Sequence, residues 1–157
     1  MTGPSYVYIL LFMAHDHTDV RDCTCNNLRK AARAVTQYYD EALRPSGIRA
    51  TQFSLLSAIK EFGTVSIGVL AEESVMDRTT LTRNLKLLED EGLITVAPGK
   101  DARVREVSLT PQAHERLAAA TRYWRKAQAH MASTMGTDGV RHLLRALSVA
   151  VEAVRSE

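Results

Sequence analysis

The chain has 157 residues, 45% hydrophobic and 24% charged, with 8 Gly, 4 Pro and 2 Cys. This is the profile of one soluble globular domain and excludes fibrous, disordered and disulfide-scaffold classes. Twenty Lys and Arg against 18 Asp and Glu leave a formal charge of +2, so a nucleic-acid or anionic-membrane partner must be sought in how charge is distributed. Arginine outnumbers lysine 15 to 5, a bias that suits bidentate contacts with phosphates and base edges but that a GC-rich genome also produces. A chain of this size buries roughly 70% of the surface its unfolded form exposes, so neither metal nor disulfide is needed for stability. Cys23 and Cys25, one residue apart, close no useful loop, and are read as free thiols in a reducing cytoplasm.

The first apolar run, residues 6–14, is far shorter than the ~20 residues that span a bilayer. It lacks a basic n-region and an Ala-x-Ala cleavage site, so no signal peptide is expected. Residues 1–21 read as an N-terminal arm: a start-site artefact with Met13 as the true start, a disordered arm, or a strand or helix added to a dimer interface. From Asp22 to Leu43, Leu28, Ala31, Ala32, Val35, Tyr38, Tyr39, Ala42 and Leu43 recur at helical spacing, and Pro45 and Gly47 end that helix. A second helix is expected from Thr51, as N-cap, to Phe62, stopped by Gly63. Val65 is a short extended link. Ser66 then caps a third helix, residues 67–74, with Val69 and Leu70 facing inward.

The turn Val75-Met76-Asp77 leads to a fourth helix from Arg78 to about Glu91, and two helices so joined make a helix-turn-helix. With Arg78 at zero and roughly 100° per residue, Leu81, Leu85 and Leu88 fall near 300°, 340° and 280°. Arg78, Thr79, Thr82, Arg83 and Lys86 occupy the opposite arc, with no acid before Glu89, whereas a solvated helix face usually mixes signs; Glu89, Asp90 and Glu91 at its end are expected to leave the groove and face solvent. After Gly92, residues 93–97 and 103–109 alternate as two strands around Pro98-Gly99-Lys100-Asp101, a wing whose tip carries Lys100, Arg103 and Arg105. Thr110-Pro111 starts a long helix running to about Ser133, with Leu117, Ala120, Trp124, Ala127 and Met131 on one side. Gly136 to Gly139 breaks it. The last helix then carries Val140, Leu143, Leu144, Leu147, Val151 and Val154 in a stripe that needs a partner.

The order of these parts resembles the MarR family of winged-helix transcriptional regulators. The resemblance covers roughly residues 22–157 and is most specific in DRTTLTRNLKLLEDEGLI, residues 77–94, and in the wing segment KDARVREVSLTP, residues 100–111. Ala113 stands where many members have Gly after the Thr-Pro step. The expected fold is mainly α with a small β wing: residues 51–109 form the winged helix-turn-helix, and residues 22–44 with 110–157 form dimerisation helices. The resemblance implies a homodimer with interlocking first, fifth and sixth helices, and winged domains entering successive major grooves of double-stranded DNA. It also implies that Arg103 reaches the minor groove while Asp101 orients it.

The expected DNA contacts are Ser66, Arg78, Thr79, Thr80, Thr82, Arg83, Lys86, Lys100, Asp101, Arg103 and Arg105. Arg78 and Arg83 suit guanine O6 and N7, Thr79 and Thr82 phosphate or a thymine methyl, and Lys86 phosphate. Ser66 serves as helix cap and also presents a helix N-terminus to a phosphate.

With Asp22 as N-cap, Cys23 and Cys25 lie in the first helical turn, where free N–H groups stabilise a thiolate. Some MarR members respond to oxidants through a cysteine near the start of this helix, so the resemblance implies a repressor released by oxidation. Residues i and i+2 diverge on an intact helix, and an internal disulfide requires unwinding of that turn. The alternatives are inert thiols; a metal site built from His15, His17, Cys23 and Cys25, suited to zinc or copper(I); and an aromatic or phenolic effector in a cleft walled by Tyr38, Tyr39, Tyr123 and Trp124. His114, His130 and His142 are read as solvent-exposed or packing residues on polar helix faces. A thiol enzyme lacks Cys-x-x-C, a nearby His base and any Gly-rich cofactor loop, so no enzymatic activity, cofactor or membrane partner is expected.

Overall fold

The computed structural model describes residues 19–155, and the chain divides into two compact units, one ending at Gln37 and the other starting at Tyr38. In chain order the elements are α1 (Thr24–Leu43), α2 (Ala50–Phe62), β1 (Val65–Ser66), α3 (Ile67–Glu73), α4 (Arg78–Asp90), β2 (Ile94–Pro98), β3 (Arg105–Leu109), α5 (Pro111–Met135) and α6 (Thr137–Arg155).

In the first unit Asp19, not Asp22, is the capping residue. Its carboxylate accepts from the Arg21 N–H at 2.8 Å and closes a short 3-10 turn, Val20–Asp22. The Asp22 N–H donates to the Asp19 carbonyl at 2.8 Å, which places Asp22 inside that turn. Cys23 follows with ψ 112°, too extended for a helix, so α1 starts one residue later and only Cys25 lies in its first turn. The Cys23 carbonyl accepts the Asn27 N–H at 3.0 Å and the Asn27 side-chain amide at 3.0 Å. Leu28 and Val35, on the predicted apolar face of α1, are more than a third exposed.

The second unit holds the core. Leu43, Ile48, Leu56, Ile59, Leu70, Leu81, Leu88, Leu93 and Val107 are almost wholly buried, with Ala113, Leu117 and Ala120 of α5 closing over them. The start of α2 differs from the sequence reading. Its N-cap is Arg49, and Thr51 lies inside the helix. The free N–H groups find oxygens elsewhere: Ala50 N donates to Asp40 Oδ1 of α1 at 2.7 Å, and Arg49 N to Gln52 Oε1 at 3.0 Å. A carboxylate ten residues away replaces the local hydroxyl, satisfying donors that every helix start leaves over.

Ser66 caps α3 as expected, accepting from Val69 N at 3.2 Å. Leu70 is buried, but Val69 is 43% exposed and does not face inward. Val65 and Ser66 are more than a link: they form a third strand, pairing antiparallel with Val107 and Glu106 of β3. The sheet order is β1-β3-β2, with β2 and β3 paired from Ile94–Leu109 to Pro98–Arg105. The returning strand thus starts at Arg105 rather than Arg103.

Thr110 joins wing to α5. Its hydroxyl donates to the Gly92 carbonyl at 2.8 Å and accepts from Ala113 N at 3.2 Å, and Pro111 occupies the first helical position. Ala113 is fully buried beneath this junction. Between α5 and α6 only Gly136, at φ 74°, interrupts the helix; Gly139 lies within α6. The backbone turns here through a positive φ, which glycine adopts without steric cost.

Leu88 is fully buried, so Leu88→Ala should cost about 2–5 kcal/mol of unfolding free energy by lost transfer energy and an unfilled cavity. Urea denaturation should show a lower midpoint at an unchanged slope. Val69→Ala, at an exposed position, should stay within about 0.5 kcal/mol of the parent.

Candidate nucleic-acid interface

Helix α4 owes its orientation to its two faces. Leu81, Leu85 and Leu88 are 2% exposed or less, and burying that ridge turns the opposite arc outward. At its start Asp77 Oδ1 accepts from Thr80 N at 2.8 Å. Hydrogen bonds from the Thr80 side chain and then its backbone hold the Asp77 carboxyl below the usual carboxylate range. The ionised form at a helix N-terminus is the one the dipole favours.

The outward arc forms an open depression lined by Arg78, Thr79, Thr82, Arg83, Lys86 and Leu87. Five of these six are the residues that helical spacing gathers into one stripe. The sixth, Leu87, is 55% exposed and was missed by the sequence reading, although the same arithmetic puts it near 180°, beside Arg83 at about 140°. Thr80, half-buried, lies outside this lining, and its polar groups serve the Asp77 cap.

The acids at the end of α4 do not all leave the groove for solvent. The stripe has no acid, but Lys86 reaches along the helix to Asp90 at 2.7 Å and Glu89 at 3.6 Å. The Asp90 hydrogen bond and charge raise the Lys86 pKa. The acids at the helix end therefore do not stand apart from the basic face: they offset the Lys86 charge across one turn. Because both partners are largely exposed, this exchange contributes little to stability and is screened by salt.

Ser66 and Arg78 converge at the start of α3. Ser66 Oγ and an Arg78 guanidinium nitrogen lie 3.9 and 4.0 Å from the position that a Cβ on Gly68 would take. At the wing, Gly99 N donates to the Val104 carbonyl at 2.8 Å and Val104 N to the Asp101 carbonyl at 2.8 Å, closing the hairpin. Arg103 grips Asp101 with two side-chain bonds, Nε to Oδ1 at 3.1 Å and Nη2 to Oδ2 at 2.9 Å, while its backbone N–H adds a third at 3.0 Å. These bonds raise the Arg103 pKa and lower that of Asp101. The Arg103 side chain remains 90% exposed. Lys100 is also exposed, whereas Arg105 leans back, donating to the Val96 carbonyl at 3.3 Å.

Cys23 and Cys25 are both exposed, free thiols. His15 and His17 lie outside the described residues, and no group of three or more potential metal ligands occurs among the described residues. Of the aromatic residues, Trp124 stacks on Phe53 with ring centroids 5.9 Å apart, and both pack against the core with Tyr123. Tyr38 meets Tyr39 edge-on at 5.6 Å and His130 at the same separation. The Tyr39 hydroxyl bonds Gln128 at 2.5 Å, and burial, followed by the neighbouring Tyr38, raises its pKa. His114 and His142 sit on α5 and α6, His142 bonding the Asp138 carbonyl at 2.8 Å. No helix among the described residues is long and apolar enough to cross a membrane.

Comparison with known proteins places this arrangement. Residues 46–104 match the model of the MarR family. The chain is 31% identical over 96 residues to the organic hydroperoxide resistance transcriptional regulator of Bacillus subtilis, covering 60% of this chain and 65% of that protein. It spans about two thirds of the length of the curated relatives it matches. The M. tuberculosis transcriptional regulator MosR, solved in complex with DNA, is 40% identical and superposes with a TM-score of 0.75 over 85% of this chain and 98% of that one. The transcriptional repressor CouR, bound to a 23-mer DNA duplex, shares the fold at 19% identity, with a TM-score of 0.76 over 87% and 98% of the two chains. These relatives are transcriptional regulators rather than enzymes. The buried leucine ridge with its basic outer stripe, the three-stranded wing and these likenesses together identify the chain as a DNA-binding transcriptional regulator belonging to the MarR family.

Proposed function

We propose that the protein is a homodimeric, sequence-specific repressor that leaves its operator when Cys23 and Cys25 are oxidised. The observation that carries the DNA-reading part is the exposed, acid-free lining of the α4 depression. In this reading α4 lies in the major groove, where Arg78 and Arg83 meet guanine edges and Thr79 and Thr82 meet phosphates or a thymine methyl. Ser66 and Lys86 contact phosphate, Lys86 by exchanging its Asp90 partner for the DNA backbone. The wing reaches the minor groove through Arg103, with Asp101 fixing the guanidinium plane and Lys100 and Arg105 adding charge. Thr80 supports α4 from the cap.

Dimerisation is supported by α6. Leu143, Leu144, Leu147, Val151 and Val154 run along one side of that helix and are each more than a third exposed, and no residue of α6 is buried. A stripe this long is expected to close against a second copy, bringing two α4 helices to half-sites about one helical turn apart. The redox part is supported by the exposure of both thiols where α1 begins, and by likeness to a regulator of organic hydroperoxide resistance. Two thiols give two electrons to a hydroperoxide, forming one S–S bond with release of an alcohol and water. A bridge within the chain, or to a second copy, requires the start of α1 to change conformation.

Gel retardation on DNA upstream of the protein's own gene tests both parts. Binding should be lost on treatment with an organic hydroperoxide and restored by thiol reductant, and Cys23→Ser/Cys25→Ser should bind whether oxidised or not. Oxidant-insensitive binding by the parent would remove the redox switch and leave DNA reading in place.

The contacts separate by kind. Arg83→Ala should cost roughly 1–3 kcal/mol at the operator and relax selectivity at one base pair. Lys86→Ala should weaken operator and unrelated DNA alike and reduce the slope of log affinity against log salt by about one at most.

The wing gives a pH dependence with a definite sign. Asp101 has a lowered pKa in the folded chain, so its contribution is present above the ordinary carboxylate value, about 3.9, and is lost as pH falls through the lower folded value. Titration of the Asp101 carboxyl by NMR should therefore show a midpoint below 3.9, and Arg103→Ala should move it up toward that value.

A further inference from the structure

Helix α6 makes a polar contact with the helix-turn-helix that none of the roles above uses. Arg155, at the end of α6, donates from Nη2 to the Glu72 carbonyl at 2.6 Å, across 83 residues of sequence. Glu72 lies in the last turn of α3, where carbonyls lack intrahelical partners and the dipole is negative. A guanidinium satisfies both the hydrogen bond and the charge.

The carbonyl that Arg155 holds also accepts the N–H of Val75 at 3.2 Å. Val75 is the non-glycine residue with positive φ, 51°, among the described residues, a conformation that crowds a β-branched side chain. Its side chain is 56% exposed, so packing does little to hold the turn. Two residues later Asp77 caps α4, and Arg155 lines one cleft with Glu72, Val75, Met76, Asp77 and Arg78. The contact is thus at the point that fixes how α4 leaves α3, and it comes from the helix whose apolar stripe is unpartnered.

We propose that Arg155 is a positioning residue for DNA binding: it ties the end of α6 to the strained turn between α3 and α4 and so sets the angle at which α4 is presented. It touches no DNA itself. The proposal rests on α4 being the DNA-reading helix. It follows that a rearrangement of α6 is felt at the turn through this one guanidinium.

Arg155→Ala and Arg155→Lys test it, using the duplex upstream of the protein's own gene and an unrelated duplex of equal length. Both variants should bind the upstream duplex roughly three- to tenfold more weakly, with unrelated DNA, the salt slope and the dimer mass unchanged. Lysine keeps the charge but has a shorter side chain without the fixed Nη2–H direction that meets the Glu72 carbonyl, so it should not rescue. Hydrogen exchange of the amides at Ser74, Val75 and Met76 should quicken in both variants without DNA present. Unchanged affinity and exchange would overturn the proposal. So would equal losses on both duplexes with a salt slope reduced by about one, which marks a direct phosphate contact. If the parent protein binds no duplex selectively, the DNA-reading assignment fails instead, and the exchange rates alone decide whether Arg155 holds the turn.

Discussion

Burial of the Leu81, Leu85 and Leu88 ridge is the constraint on which the rest depends. A helix has only one way of hiding three leucines at i, i+4 and i+7 against a core, and that choice commits Arg78, Thr79, Thr82 and Arg83 to the outside. The core that receives the ridge draws on the helices, the sheet and the following long helix: Leu56 and Ile59 from α2, Leu70 from α3, Val107 from β3, and Leu117 and Ala120 from α5. The charged face is therefore positioned by apolar packing rather than by its own ion pairs. A surface set this way keeps its shape when salt redistributes the charges on it.

Around that core the segments are joined by hydrogen bonds from short polar side chains. Ser66, Asp77 and Thr110 each accept the N–H of the third residue of the helix they open. Thr110 also donates to Gly92, so one hydroxyl fixes both the end of the wing and the start of α5. Such caps contribute about 1 kcal/mol each. Their larger effect here is geometric, because they fix where α4 begins and where the wing returns.

Electrostatics divides into two kinds of pairing. The Asp101–Arg103 fork is a planar, bidentate pair that leaves the guanidinium almost wholly in solvent, so its orientation is fixed while its charge stays available. The Lys86 pairing with Asp90 and Glu89 is a flexible exchange between neighbours on one helix, and it can be given up to a phosphate at little cost. The near-neutral total of +2 conceals both, because acids that sit at helix ends and turns are counted equally with bases on the exposed stripe.

Much of this was legible in the residues. Periodicity marks the six α-helices of the described residues, the leucine ridge and the basic stripe, and Thr110-Pro111 marks the start of α5, because these depend on spacing along one chain and on local capping chemistry. The errors share a cause. Thr51 is not the cap because the helix starts before it, at Ala50, whose N–H is met by Asp40 ten residues away. Val65 was read as a link because two residues show no alternation, and only the free edge of β3 makes them a strand. Val69 is expected inside by its type, but it lies on the outer side of α3 and is 43% exposed. The acids that close α4 are expected to face solvent, but Glu89 and Asp90 reach back to the Lys86 ammonium. Local pattern, set by covalent geometry and the helical repeat, is what the amino-acid sequence determined by itself. Which distant group completes a cap, a strand or a turn, as Asp40, β3 and Arg155 do, was decided only by the tertiary structure, because an unsatisfied donor or carbonyl can be met by any oxygen or guanidinium that folding brings within 3 Å.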